Sequence, residues 1–247
     1  MITTELATSW VRRWDAQQEF YIADREERFA VIGDVVAHVV GGTGGTVLDL
    51  GCGPGSLAGR LAARLPRARI VGIDADPLLL ALGRGRYGEV VEFVDADLTG
   101  GHWPGLVPPV LDAAVSTTAL HWLDPDDLAR VYRTLADRLR PGGVFVNGDH
   151  VMTGDPVLDE LAVLVREGRA ARAGVTENED WGAWWAAVAA DPELAGLFGE
   201  RSQRAVAHHG SNELTALEHA DLLRAVGFRA AGPVWQTGND HVLVAVR

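Results

Sequence analysis

The chain has 247 residues, 47% of them hydrophobic and 23% charged, a composition usual for a globular protein with a sizeable core. Its net charge of −12 argues against a nucleic-acid partner, because binding to phosphates requires a basic surface. The chain contains no lysine, which excludes Schiff-base and P-loop chemistry, since both require one.

The first 45 residues predict a helical N-terminal cap. Phe29, Ile32, Val36 and Val39 repeat at spacings of three and four, which places them on one face of a helix. The stretch GGTGG at 41–45 then ends this helix and is interpreted as a linker.

Residues 46–150 predict an α/β core, because strands and helices alternate there as they do around a parallel sheet. The five predicted strands are 46–50, 68–74, 90–96, 110–116 and 144–149. Between the last two, residues 123–143 begin with a cap and a proline and end in Pro-Gly-Gly, which predicts a helix that stops before the fifth strand.

The alternation ends after the fifth strand. Residues 151–212 carry helical patterns and predict a helical insertion, and residues 213–247 predict a last helix and a hairpin around TGND. The predicted fold class is therefore α/β, with a mostly parallel seven-stranded sheet, an antiparallel closing hairpin and the insertion before the last two strands.

A ligand site is predicted where the first strand ends, in TVLDLGCGPGSLA at 46–58. Glycine lets the backbone approach a ligand closely. Asp74 ends the second strand 74 − 55 = 19 residues past Gly55, the spacing at which a carboxylate reaches a ribose. GPGSLA also fits the loose dinucleotide pattern, so an NAD(P)-dependent oxidoreductase stays open. Asp49 disfavours it, since a carboxylate beside the turn would repel a pyrophosphate.

The ordered segments VLDLGCGPG, IVGIDADP, VEFVDADL, LDAAVSTTALHWL and LRPGGVFV resemble the motifs of class I S-adenosylmethionine-dependent methyltransferases. The resemblance covers residues 46 to about 149 and implies a Rossmann-like sheet. It also implies S-adenosylmethionine as cofactor and S-adenosylhomocysteine as product. ALHWL and WDAQQEFYIADREERF are similar to the small-molecule branch that includes trans-aconitate methyltransferase. The implied reaction is O-, N- or C-methylation of a small-molecule acceptor.

The resemblance also implies the cofactor contacts. Asp49 and the glycine turn would hold the methionine end, and Asp74 would hold the ribose hydroxyls. Asp97 would accept from the adenine amino group, a role for which Asp95 stays an alternative. The cofactor-binding residues implied in this way are Asp49, Gly51, Cys52, Gly53, Gly55, Asp74, Ala75, Asp97, Leu98 and Ser116.

Two histidines are candidate catalytic bases, His121 after the fourth strand and His150 after the fifth. A neutral imidazole can take a proton at physiological pH, if the acceptor must lose one. For both, a structural role is the alternative. The candidate acceptor-binding residues are Trp14, Phe20, Tyr21, Trp122, Asp149, Trp181, Trp184 and Trp185. The tryptophans from 181 onward could instead pack the insertion onto the core.

No metal site is predicted. The acidic run that begins at Asp124 is interpreted as the cap of a helix, and His208 and His209 lack a partner at ligand spacing. Arg25 and Arg28 are expected to be solvated or paired, or to meet an anionic acceptor.

The single cysteine allows no intrachain disulfide bond. The start MITTELATSW does not resemble a signal peptide, and no apolar run is long enough to cross a bilayer. These features predict a cytoplasmic protein with no membrane partner. A regulatory S-adenosylmethionine-binding protein stays open as an alternative function, and the oligomeric state is not predicted.

Overall fold

The computed structural model describes residues 2–42, 44–204 and 212–247. The helices are α1 (Thr4–Glu19), α2 (Arg25–Val40), α3 (Ser56–Arg64), α4 (Pro77–Tyr87), α5 (Pro125–Arg138), α6 (Pro156–Ala173), α7 (Trp181–Ala190), α8 (Ala195–Arg204) and α9 (Ala216–Ala225). The strands are β1 (Thr46–Leu50), β2 (Arg69–Asp74), β3 (Glu92–Asp95), β4 (Leu111–Thr117), β5 (Leu139–His150), β6 (Ala230–Thr237) and β7 (Asp240–Val246).

The seven strands form one sheet in the order β3-β2-β1-β4-β5-β7-β6. Strands β1 to β5 pair in parallel, and β7 runs antiparallel between β5 and β6. This topology confirms the predicted mostly parallel sheet and its antiparallel closing hairpin. The order reverses between β1 and β4, and ligands of open α/β sheets bind beyond the strand ends at such a point.

The predicted start of the fifth strand is wrong, whereas the other predicted strand boundaries lie within two residues of those observed. Strand β5 begins at Leu139, because Leu139 pairs with Leu111 and the register then shifts before Val144 pairs with Ala113. Pro-Gly-Gly therefore lies inside the strand instead of ahead of it. In α2 the residue that reaches the core at the end of the helix is Val40, whereas Val39 is only partly buried.

Helices cover both faces of the sheet, and each face has its own apolar cluster. A third cluster joins Trp10 and Trp14 of the cap to Leu78 of α4 and Trp184 of the insertion. Cap and insertion thus meet over the carboxyl edge of the sheet. Within the described ranges, no helix is both long and apolar enough to cross a membrane.

Candidate functional site

A cavity of about 430 Å³ lies at the carboxyl edge of the sheet, within the size range of small-molecule sites. The core contributes the glycine turn after β1, the end of β2, and the loops after β4 and β5. The cap and the insertion close it from above. Its lining comprises Trp14, Gln18, Tyr21, Ile22, Arg25, Gly51, Cys52, Gly53, Pro54, Ser56, Leu57, Asp74, Asp76, Leu79, Thr117, Thr118, Ala119, His121, Trp122, His150, Trp181 and Trp185.

The turn after β1 requires glycine for two reasons. Gly51, Gly53 and Gly55 have φ values of 64°, 53° and 80°, a region that side chains disfavour. At Gly51 a Cβ would also lie 2.4 Å from the Cβ of Ala119, and at Gly55 2.7 Å from the ring of Phe93. At Gly53, by contrast, the nearest atoms to a Cβ lie 3.9 Å away, so the turn is open at this residue, which lines the cavity.

Asp74 ends β2 beside this turn. Its two carboxylate oxygens accept hydrogen bonds from the backbone N–H of Gly53 at 2.7 Å and of Asp76 at 2.8 Å. Desolvation raises the pKa of Asp74 to about 6, against the lowering effect of these bonds. Each oxygen keeps a lone pair, so the carboxylate can still accept from hydroxyl groups of a ligand.

Asp49 lies fully buried at the end of β1, outside the cavity lining. Neither carboxylate oxygen has a partner that meets hydrogen-bond geometry among the described residues. Desolvation, and next the charge of Asp74, raise the pKa of Asp49 to about 8, although the nearby backbone N–H of Ala58 lowers the pKa in part. A buried acid without a partner is costly, which indicates that a donor or a positive charge belongs nearby.

His121, which lines the cavity, pairs with Asp149. His121 Nδ1 lies 2.8 Å from the Oδ1 of the buried Asp149. Desolvation lowers the pKa of His121, but the charge of Asp149 and this hydrogen bond outweigh it, so the pKa is raised. The sequence predicted Asp149 as an acceptor contact, whereas here it lies behind the histidine, outside the cavity lining.

His150 also lines the cavity, but its pKa is shifted in the direction opposite to that of His121. Burial, followed by the charge of Arg28, lowers its pKa to about 3. Its Nε2 atom has no hydrogen-bond partner in the described structure. His150 therefore stays neutral at physiological pH and is a much weaker base than His121.

The tryptophan stripe of α7 divides between packing and the lining of the cavity. Trp184 is fully buried and packs edge-on against Trp14 at 4.9 Å and Trp10 at 5.6 Å. Trp181 and Trp185 line the cavity instead.

Arg25 and Arg28 of the cap are buried and paired, and neither is solvated. Arg25 lines the cavity and pairs with Asp15 at 2.8 Å. Arg28 pairs with Asp240 and donates to Thr117 Oγ1 at 3.2 Å.

Several predicted contacts lie outside the cavity lining: Asp49, Gly55, Ala75, Asp97, Leu98, Ser116, Phe20, Asp149 and Trp184. Ser116 is buried and donates to the Leu50 carbonyl at 2.8 Å, which ties β4 to β1. Asp97 is exposed and accepts from the backbone N–H of Thr99, and Asp95 pairs with Arg204 at 2.6 Å.

Sequence reasoning missed other residues of the site. Asp76 was predicted as the cap of α4, and it does accept from Leu78 and Leu79, but it also lines the cavity and pairs with Arg201 at 2.6 Å. Thr118, whose φ is 49°, and Gln18 also line the cavity, and no sequence pattern indicated either residue.

The described residues contain no cluster of three or more metal-ligating side chains. His208 and His209 lie outside the described residues.

Comparison with known proteins identifies a methyltransferase domain at residues 47–143. The chain is 37% identical over 131 residues to a trans-aconitate 2-methyltransferase of Azoarcus sp. (strain BH72), a match over 53% of this chain and 48% of that protein. It is 28% identical over 227 residues to one of Methylobacterium radiotolerans, over 92% and 74% of the two chains. The chain spans about half the length of the first of these relatives.

Solved structures share the fold. An O-methyltransferase family protein from Burkholderia thailandensis matches 94% of this chain and 62% of its own, with a TM-score of 0.58 and 20% identity. Human N-acetylserotonin methyltransferase in complex with SAM matches 95% of this chain and 56% of its own, with a TM-score of 0.54 and 16% identity. The motifs, the strand order and the domain matched at residues 47–143 are thus those of a class I S-adenosylmethionine-dependent methyltransferase domain.

Proposed function

We propose that this protein transfers a methyl group from S-adenosylmethionine to a small-molecule acceptor without a metal. One observation carries the proposal. One cavity is lined by the glycine turn and the Asp74 carboxylate and also by His121, which is held from behind by Asp149. The turn and Asp74 fit a cofactor, and His121 fits a reacting acceptor.

The glycine turn, Asp74 and the nearby Asp49 suit this cofactor. Its ammonium group would supply the positive charge that the buried carboxyl of Asp49 lacks, while the open backbone at Gly53 leaves room for the methionine portion. Asp74 would accept from the ribose hydroxyls. When bound, the cofactor supplies an electrophilic methyl group on a sulfonium.

His121 is the proposed base. With the proton of the neutral ring on Nδ1, held by Asp149, the lone pair of Nε2 is available to an acceptor. As Nε2 takes the acceptor's proton, the buried carboxylate stabilises the imidazolium that forms. General bases contribute about 10²–10⁴-fold to rates.

The cap at 1–45 and the insertion at 151–212 are proposed to cover the reaction and select the acceptor, and 213–247 to complete the core. Trp14, Tyr21, Trp181 and Trp185 would orient the acceptor and exclude water. Alignment of this kind can supply up to ~7–11 kcal/mol in well-oriented reactions.

The acceptor class follows from whether a base is needed. A carboxylate such as trans-aconitate, the acceptor named for the relatives, is already deprotonated and needs none. The His121–Asp149 pair supports an acceptor that loses a proton, such as a phenol, an amine or a carbon acid. A panel of these with trans-aconitate as comparison tests the choice.

Calorimetry tests the cofactor half of the proposal. Asp74→Ala should weaken S-adenosylmethionine binding at least tenfold, whereas Asp34→Ala, at an exposed site on α2, should leave it unchanged. Equal affinities would overturn the assignment of Asp74. Micromolar binding of NAD or NADP would favour an oxidoreductase instead.

Methyl transfer tests the catalytic half. His121→Gln should lower kcat about 10²-fold or more on an acceptor that loses a proton, with cofactor affinity nearly intact. His150→Gln, the matched control, should change kcat much less. Tight cofactor binding without transfer to any member of the panel would favour a regulatory role.

A further inference from the structure

Helix α6 presents an apolar face to the outside of the protein. The helix has 18 residues, none of them buried. Five apolar side chains are 48–66% exposed: Val157, Leu158, Leu161, Leu164 and Val165. Their spacing places them on one side of the helix, the pattern of a face that packs against a partner. The described part of this chain supplies no such partner.

The size of this face fits a protein interface. The five side chains expose on the order of 450 Å² of mostly apolar surface, comparable to the largest patch on a typical monomer. A stable interface buries about 800 Å² per partner, and somewhat more than half of that area is apolar. The α6 face alone provides most of this apolar share.

The charges at the two ends of the face point to a second copy of the same chain. Asp155 lies at the start of α6 and Arg172 near its end, and both are exposed. Two antiparallel copies place the acidic start of one helix near the basic end of the other and align their dipoles favourably. The net charge of −12 disfavours an anionic membrane as the alternative occupant.

We infer that the α6 face is the contact surface of a two-fold symmetric homodimer, with Leu164 close to the symmetry axis. Such an interface is self-complementary, so a residue near the axis meets its own copy. No residue of α6 lines the cavity, so this contact leaves the cavity open. The inference is therefore independent of the proposed function.

Sedimentation of the full chain tests the inference. A mass of twice 26.4 kDa is expected at about 50 µM, and Leu161→Glu should shift the protein to monomer. Val90→Glu is the matched control, because Val90 is a similarly exposed apolar residue that precedes β3, the edge strand opposite to β6. The Val90→Glu variant should dimerise as the wild type does. A monomeric wild type, or a dimer that Leu161→Glu leaves intact, would overturn the inference.

Cross-linking tests the antiparallel geometry without adding a charge to the helix. Leu164→Cys should form an intermolecular disulfide under mild oxidation, since its two copies meet near the axis. Val90→Cys should not, and the native Cys52 is buried. Equal cross-linking of the two variants, or none at position 164, would contradict the two-fold contact.

Discussion

Replacing Gly51 by alanine should destabilise the protein through two separable effects. The first is conformational. Gly51 has φ of 64°, and an L-residue held in this left-handed region costs about 1–2 kcal/mol. The second is steric, because the new Cβ would lie 2.4 Å from the Cβ of Ala119. A methyl group cannot rotate away, so backbone must move, and overpacking of this kind costs about 1–3 kcal/mol.

Gly53 offers a matched comparison in the same turn. Its φ is 53°, but the nearest atoms to a Cβ there lie 3.9 Å away, an ordinary contact. Gly53→Ala therefore carries only the conformational cost of about 1–2 kcal/mol, against about 2–5 kcal/mol for Gly51→Ala. The difference between the two variants isolates the contact with Ala119.

Thermal and denaturant unfolding measure both costs. For a chain of this size about 1 kcal/mol lowers Tm by about 2–4 °C, so Gly51→Ala should melt clearly below Gly53→Ala. Adding Ala119→Gly should recover much of the steric part in Gly51→Ala and none in Gly53→Ala. Equal destabilisation of the two single variants, or no recovery in the double variant, would refute the reasoning.

Four further outcomes are expected. Burial raises the pKa of Asp49 to about 8, so the folded state holds a proton that the unfolded chain releases above about pH 4. Stability should then fall as pH rises from 5 to 8, and Asp49→Asn should flatten this slope in urea titrations. Asp240→Ala removes the ion-pair partner of the buried Arg28 and should lower the free energy of unfolding by about 3–5 kcal/mol. Asp149→Asn should lower the pKa of His121, which NMR titration of the ring resonances measures directly. Methyl transfer should persist in excess EDTA, and a loss restored by magnesium or zinc would contradict the metal-free proposal.

The features that sequence predicted well are those fixed by neighbouring residues. A buried apolar run followed by three glycines is a local pattern, and β1 with its turn lies where that pattern predicts. The start of β5 is different, because it depends on the pairing of Leu139 with Leu111, 28 residues earlier. A Pro-Gly-Gly stretch that ends helices elsewhere is accommodated there within a strand.

Within the site, sequence predicted which edge each residue occupies better than where its side chain goes. Ser116 lies at the end of β4 as expected, but its hydroxyl group is bound by the Leu50 carbonyl. Asp149 ends β5 as expected, but it turns to His121. Arg201 could not be predicted, because its contact with Asp76 joins segments 125 positions apart.

The region that matches the methyltransferase domain includes only part of the cavity lining. The glycine turn, Asp74 and His121 all lie within residues 47–143, the region that matches the methyltransferase domain. The cover does not: Trp14 and Trp181 come from the cap and the insertion. These two segments are also joined to each other, since Arg13 pairs with Glu179, Asn178 bonds to the cap backbone, and the Trp14 and Trp181 rings pack 5.3 Å apart. Both segments also reach the cavity lining beside the glycine turn and Asp74, since Asp15 of the cap accepts from Ser56 Oγ at 2.6 Å and Arg201 of the insertion pairs with Asp76 at 2.6 Å. The cap and the insertion lie outside the matched domain but contribute to the whole cavity, so the cofactor and the acceptor proposed for this protein both have to be tested on this chain.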